Sequence, residues 1–167
     1  MIKLPIFLIT VGVSGCGKST WAKKQKDFTI VNPDSIRKEV TGEITNMTKD
    51  GEVWKIAKDR VIALLKDGKN VILDATNVTS KGRISFIKDL PPCEKKAKVF
   101  KENLDDCKAR VQKDIESGVD RSKVPMDVID RQYANFLSNL EELQKDGFTI
   151  YYESENNDNI RYNRIYT

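Results

Sequence analysis

The densest chemistry in the sequence lies in Gly12-Val13-Ser14-Gly15-Cys16-Gly17-Lys18-Ser19-Thr20, which matches the spacing GxxxxGK[ST] at every fixed position. The glycines allow successive backbone N–H groups to converge on phosphate oxygens, and a helix beginning here turns its positive N-terminal end to the same point. Lys18 can then reach the outer phosphates of a nucleotide, and the Ser19 hydroxyl can ligate Mg²⁺. Cys16 sits among these amides. They would favour a thiolate there, unless the residue only fills a position that the loop leaves variable.

A phosphate cradle binds a nucleotide without saying what is done with it. Transfer of a phosphoryl group also needs a carboxylate to take the acceptor's proton, a cation to hold the acceptor and a basic lid over the transferring group. Asp34 follows Ile30-Val31-Asn32-Pro33 and is the candidate general base; capping a helix from Ser35 is an equal reading of its position. Arg37 lies one turn on and could grip a phosphate or carboxylate of the acceptor, or be a surface residue. Asp74 ends the run Val71-Ile72-Leu73, where an acid either joins a Mg²⁺ shell or caps the next turn. Arg110, Lys113, Arg121 and Lys123 surround a Gly118-containing segment that stops at Pro125, which reads as a mobile lid or as a solvated charge cluster. A guanine-reading Asn-Lys-x-Asp is absent, as is a second acidic pair of the kind ATPase motors carry.

The sequence has no histidine. Ser-His-Asp and Cys-His nucleophile pairs and imidazole metal sites are therefore excluded, and a general base must be a carboxylate, lysine, cysteine or tyrosine.

These residues need a scaffold that brings strand ends together. Short apolar runs at Ile6 to Val11, Phe28 to Val31, Asn70 to Asp74, Ala97 to Phe100 and Phe148 to Tyr152 predict five strands. Helical patterns near 18–26, 35–41, 51–67, 80–89 and 104–116 alternate with them, which predicts an α/β fold with a parallel sheet. A longer helix is expected from about Met126 to Lys145, with Pro125 as its first residue. Its apolar stripe is Val128, Ile129, Tyr133, Phe136, Leu137, Leu140 and Leu143.

The length of 167 residues suits one domain. The lid would cover about 111–124, and the C-terminal strand and tail 147–167. Net charge is +4, but residues 1–100 carry 19 Lys and Arg against 11 Asp and Glu, whereas residues 101–167 carry 10 against 14. A basic surface of this kind attracts phosphate-bearing partners. Cys16, Cys93 and Cys107 have no paired or metal-ligand spacing, so a reducing cytoplasm is expected. Lys3 with Ile6 to Ile9 and Cys16 faintly imitates a lipoprotein signal, but the apolar run is short. No run approaches a membrane span.

The pattern resembles the kinase domain of phage-type polynucleotide 5′-kinases, within the adenylate-kinase-like P-loop kinases. Its carriers are Gly15 to Ala22, Asn32-Pro33-Asp34-Ser35-Ile36-Arg37, Val71 to Asn77, Val99-Phe100 and Val124 to Ile129, in order over residues 6 to 140. The resemblance implies a three-layer αβα fold with strand order 2-3-1-4-5 and a helical lid. It implies that Lys18 and Ser19 hold ATP and Mg²⁺, that Asp34 activates a 5′-hydroxyl and that Arg37 contacts the acceptor phosphate. The expected partner is a nucleic-acid end, in a host cytoplasm if the gene is phage-encoded. Alternatives are a hydroxymethylated base within DNA, a nucleoside or small metabolite, or a nucleotide-gated binding module. Where the family lid usually carries an Arg about one turn after Arg110, this chain has Asp114. Lys113 or Arg121 would then supply the lid cation. The DxDGT phosphatase signature of the bifunctional phage enzymes is absent.

Overall fold

The structure is a computed structural model and describes residues 3–119 and 124–151. Five parallel strands form one sheet: β1 (Ile6–Val11), β2 (Phe28–Val31), β3 (Asn70–Leu73), β4 (Glu94–Val99) and β5 (Thr149–Ile150). Their order is β2-β3-β1-β4-β5, as the resemblance implied. The crossovers carry α1 (Lys18–Lys23), α2 (Pro33–Thr41), α3 (Asp50–Lys66), α4 (Ser80–Ile87), α5 (Leu104–Glu116) and α6 (Met126–Asn139).

The pleat sorts the apolar residues into two layers. Phe7, Ile9 and Val11 of β1 join Val71 and Leu73 of β3 and Ala97 and Val99 of β4 on one face. Val53, Ala57, Val61 and Leu65 pack on that face from α3, at the i, i+4, i+8 spacing of a buried helical stripe. Phe86 of α4 stacks on Phe7, with ring centroids 5.6 Å apart. Leu8 and Ile72 point the other way, against Ala22 and Trp21 of α1. The layers are thus helix, sheet and helix.

Several boundaries differ from the periodicity. β4 starts at Glu94 rather than Ala97, because pairing with β1 begins at Ile6 opposite Glu94 and leaves Lys95 and Lys96 only half-buried. α2 starts at Pro33, two residues early, since Asn32 provides its cap. Pro125 is the cap of α6 rather than its first residue; its carbonyl accepts from the N–H groups of Val128 and Ile129. The helix ends at Asn139, whose side chain folds back onto the Asn135 carbonyl, although Leu140 and Leu143 still reach the core. Leu137 does not belong to the stripe. It is 55% exposed, because it lies one residue beyond the buried Phe136. Of the expected lid, residues 111–116 form the last part of α5, and 120–123 lie outside the described residues. Tyr152 and the rest of the C-terminal tail lie outside the described residues.

The C-terminal strand ends are stitched into one edge. The Gly12 N–H donates to the Thr76 carbonyl, Asp74 N–H to Val31 and Phe100 N–H to Val11, all within 3.0 Å. Thr10 Oγ1 donates to the Ala75 carbonyl at 2.8 Å, and Asn77 Nδ2 donates to the Thr10 carbonyl at 2.8 Å. This edge is where open α/β sheets hold their ligands.

Candidate active site

Gly12 to Ser19 links the end of β1 to the start of α1, and its shape depends on what packs behind it. Val13 and Cys16 are buried in an apolar cluster with Cys107 and Val111 of α5 and Ile129 of α6, and Cys16 Sγ also accepts from Lys18 Nζ at 3.5 Å within the loop. Their burial leaves the loop backbone to line the opposite side. Gly15 has φ +81°, and a Cβ there would stand 2.4 Å from the Cys107 carbonyl oxygen. Only glycine allows α5 to approach so closely.

Burial pushes the Cys16 thiol above its ordinary pKa, outweighing the lowering influence of Lys18, so the thiolate expected from the surrounding amides does not form. Cys107 is raised to about 11, chiefly by the same desolvation. Both pack as thiols at neutral pH, Cys16 with its sulfur against Lys18 Nζ.

Lys18 is buried, and its Nζ donates to the Val13 carbonyl at 2.6 Å, so its charge lies inside the curl of the loop. Ser19 Oγ donates to Asp74 Oδ2 at 2.7 Å, and Asn32 Nδ2 donates to the same oxygen at 3.1 Å. The Asp74 carboxylate is therefore held, in a buried position, by the first turn of α1 and the end of β2. It caps no helix. One hydroxyl and one carboxylate are hard oxygen donors, and Mg²⁺ takes few protein ligands of this kind when phosphates supply others. The loop, Ser19 and Asp74 thus fit a Mg-nucleotide.

Asp34 is not the cap of α2. Asn32 Oδ1 accepts from the N–H groups of Asp34 at 2.8 Å and Ser35 at 3.3 Å, which frees the Asp34 carboxylate for other use. Its side chain is 46% exposed, and one oxygen accepts from Arg37 Nη1 at 2.5 Å. Arg37 is buried rather than a surface residue, with 4% exposure. Asp50, the first residue of α3, takes Nε at 2.8 Å and Nη2 at 3.2 Å in a bidentate grip. Although burial opposes the charge, the hydrogen bonds and charges of Asp50 and Asp34 raise the guanidinium pKa above its ordinary value. The cation is permanent and aimed at the Asp34 carboxylate.

Arg110 of α5 reaches the cradle, donating from Nη1 to the Gly15 carbonyl at 3.2 Å, with Glu102 3.7 Å from Nη2. Lys113 lies exposed about one turn further along α5. Arg121 and Lys123 lie outside the described residues. Asn32 stood in a motif that carries the resemblance but had no role assigned, although an Asn cap followed by Pro marks a helix start; Asp50 had no motif, since it meets Arg37 only through the packing of α2 on α3.

Fold and cradle together define a P-loop nucleotide-binding domain of the kinase type. The family model described as an AAA domain, AAA_33, matches residues 7–138, and the chain belongs to that family. A viral protein named as a bifunctional polynucleotide kinase/RNA ligase, from Autographa californica nuclear polyhedrosis virus, is 31% identical over 48% of this chain and 14% of its own length. A chain of the Pnkp1/Rnl/Hen1 RNA repair complex superposes with a TM-score of 0.71 at 25% identity, covering 85% of this chain and 47% of that one. A kinase of Chloroflexus aurantiacus shares the fold at a TM-score of 0.64 and 12% identity, over 76% of this chain and 78% of its own. This chain therefore spans less than half the length of the viral and repair-complex relatives.

Proposed function

We propose that the protein is an ATP- and Mg²⁺-dependent kinase that transfers the γ-phosphate to a hydroxyl of a polynucleotide, the 5′-OH of DNA or RNA. The observation that carries this reading is the half-exposed Asp34 carboxylate, freed from capping by Asn32 and set beside a buried Arg37 on the same sheet edge as the cradle. The names of the viral and repair-complex relatives support the choice of acceptor.

Each group has a defined task. The loop amides and Lys18 hold the nucleotide's outer phosphates, and Ser19 and Asp74 would hold Mg²⁺, which supplies charge neutralisation as the phosphoryl group leaves. Asp34 accepts the proton of the attacking hydroxyl. Arg37, pinned by Asp50, holds the Asp34 carboxylate in place and is the candidate contact for the acceptor's nearest phosphate. Arg110 shields the cradle from the side of α5, with Lys113 and Arg121 as the further candidates for lid cations. Three free, buried cysteines suit a reducing cytoplasm, and among the described residues no helix is long and apolar enough to cross a membrane.

The test offers γ-labelled ATP with 5′-OH DNA and RNA oligonucleotides, hydroxymethylated duplex DNA and a panel of nucleosides. Label on the 5′ end of an oligonucleotide is the expected result. Label only on the modified base or a nucleoside moves the acceptor to that class, and ATP binding without transfer to any acceptor leaves a nucleotide-gated binding module.

A further inference from the structure

One N–H of the cradle is already committed to a distant helix. Ser14 N–H donates to Oε1 of Gln132 at 2.9 Å, across 118 residues of chain. The contact follows from packing: Ile129, fully buried against Val13 and Cys16, fixes the register of α6, and Gln132 lies one turn further along the same side. Ser14 is only 9% exposed, so water is a poor substitute for the side-chain acceptor.

We propose that Gln132 is a positioning residue for the nucleotide. By holding the Ser14 N–H it fixes the first half of the loop, so that the N–H groups after Gly15 stay aimed at the phosphates. It also ties α6, the helix that follows the lid connection, to the cradle. Without an acceptor at this point, the loop must turn the Ser14 N–H elsewhere to satisfy it, and a nucleotide has to restore the loop before it can bind. The inference rests on the nucleotide-binding part of the proposed function and not on the acceptor.

The test is calorimetric titration with Mg-ADP and no acceptor, combined with amide exchange of ¹⁵N-labelled protein. Gln132→Met keeps the length and helix preference of the side chain but removes the acceptor. It is expected to weaken ADP about tenfold and to turn the slowly exchanging Ser14 amide into a fast one. Ser14→Pro removes the donor instead. In the S14P background, Q132M should then change ADP affinity less than twofold. Gln132→Glu, which retains an oxygen at the same reach, should bind ADP within about twofold of the parent at salt that screens its charge.

A Q132M variant that binds like the parent overturns the proposal, as does an equal loss in both backgrounds. If S14P does not fold, equal losses in Q132M and Q132E decide against it. Failure of the parent itself to bind ADP would overturn the nucleotide reading, which is a separate result.

Discussion

An Asp at the start of a helix suits either a cap or a base, so the sequence leaves Asp34 both readings and no spacing rule separates them. The hydrogen bonds from Asp34 and Ser35 to Asn32 give the cap to Asn32, which leaves the proposed base to be tested. Asp34→Asn keeps the shape of the site and the N-cap but removes the proton acceptor. It is expected to lower kcat by 10²–10⁴-fold, the usual contribution of a positioned base, with the KM for ATP changed little. Steady-state kinetics at saturating acceptor would check this, and a variant retaining more than about a third of parent kcat removes Asp34 from the reaction. The cradle was legible in the sequence from its glycine spacing, but the packing of α5 and α6 that shapes it from behind was not. Arg37 was legible as a cation but not as a buried one, because its bidentate partner Asp50 arrives through the packing of two helices.

Strands and helices were legible wherever their period is clean, as in β1, β2 and α5, where the expected and observed spans coincide. Leu137 misled because an apolar residue one step off a stripe looks the same in sequence as one on it. The buried polar tie between α4 and the turn after α6 had no signature at all. Arg83 donates from Nε to Asp146 at 3.0 Å, from Nη1 to the Asn77 carbonyl at 3.0 Å and from Nη2 to the Asn139 carbonyl at 2.7 Å. Ser80 Oγ donates to the other Asp146 oxygen at 2.6 Å. Both charged side chains are almost fully buried, so removing one partner strands the other. Arg83→Met is expected to cost about 3–5 kcal/mol of stability in urea unfolding, and Arg83→Met with Asp146→Leu to recover most of it. Because Asn77 belongs to the loop that follows Asp74, the single variant also loosens the support of that carboxylate. A loss below about 1 kcal/mol would mean that the pair is not the joint between these elements.

Charge belongs to the whole molecule, and it is where the acceptor class leaves a physical signature. The excess of Lys and Arg over Asp and Glu lies in the first hundred residues, which also supply the cradle, Asp34 and Arg37. On α1 and the turn after it, Lys23, Lys24 and Lys26 are exposed. A single-stranded acceptor that contacts about three such cations releases counterions, so log K should fall against log[salt] with a slope near −2. A nucleoside carries no backbone phosphates to release them, and its affinity should stay nearly flat over the same range. Fluorescence anisotropy of a labelled 5′-OH oligonucleotide between about 50 and 200 mM salt reads this directly, using Mg-ADP to fill the cradle and prevent turnover. ADP binding measured alongside supplies the internal reference, because its own salt dependence belongs to the cradle and must be the same whichever acceptor is used. A flat oligonucleotide curve beside normal ADP binding would leave the fold and cradle intact and exclude a polynucleotide acceptor held by this basic part of the surface.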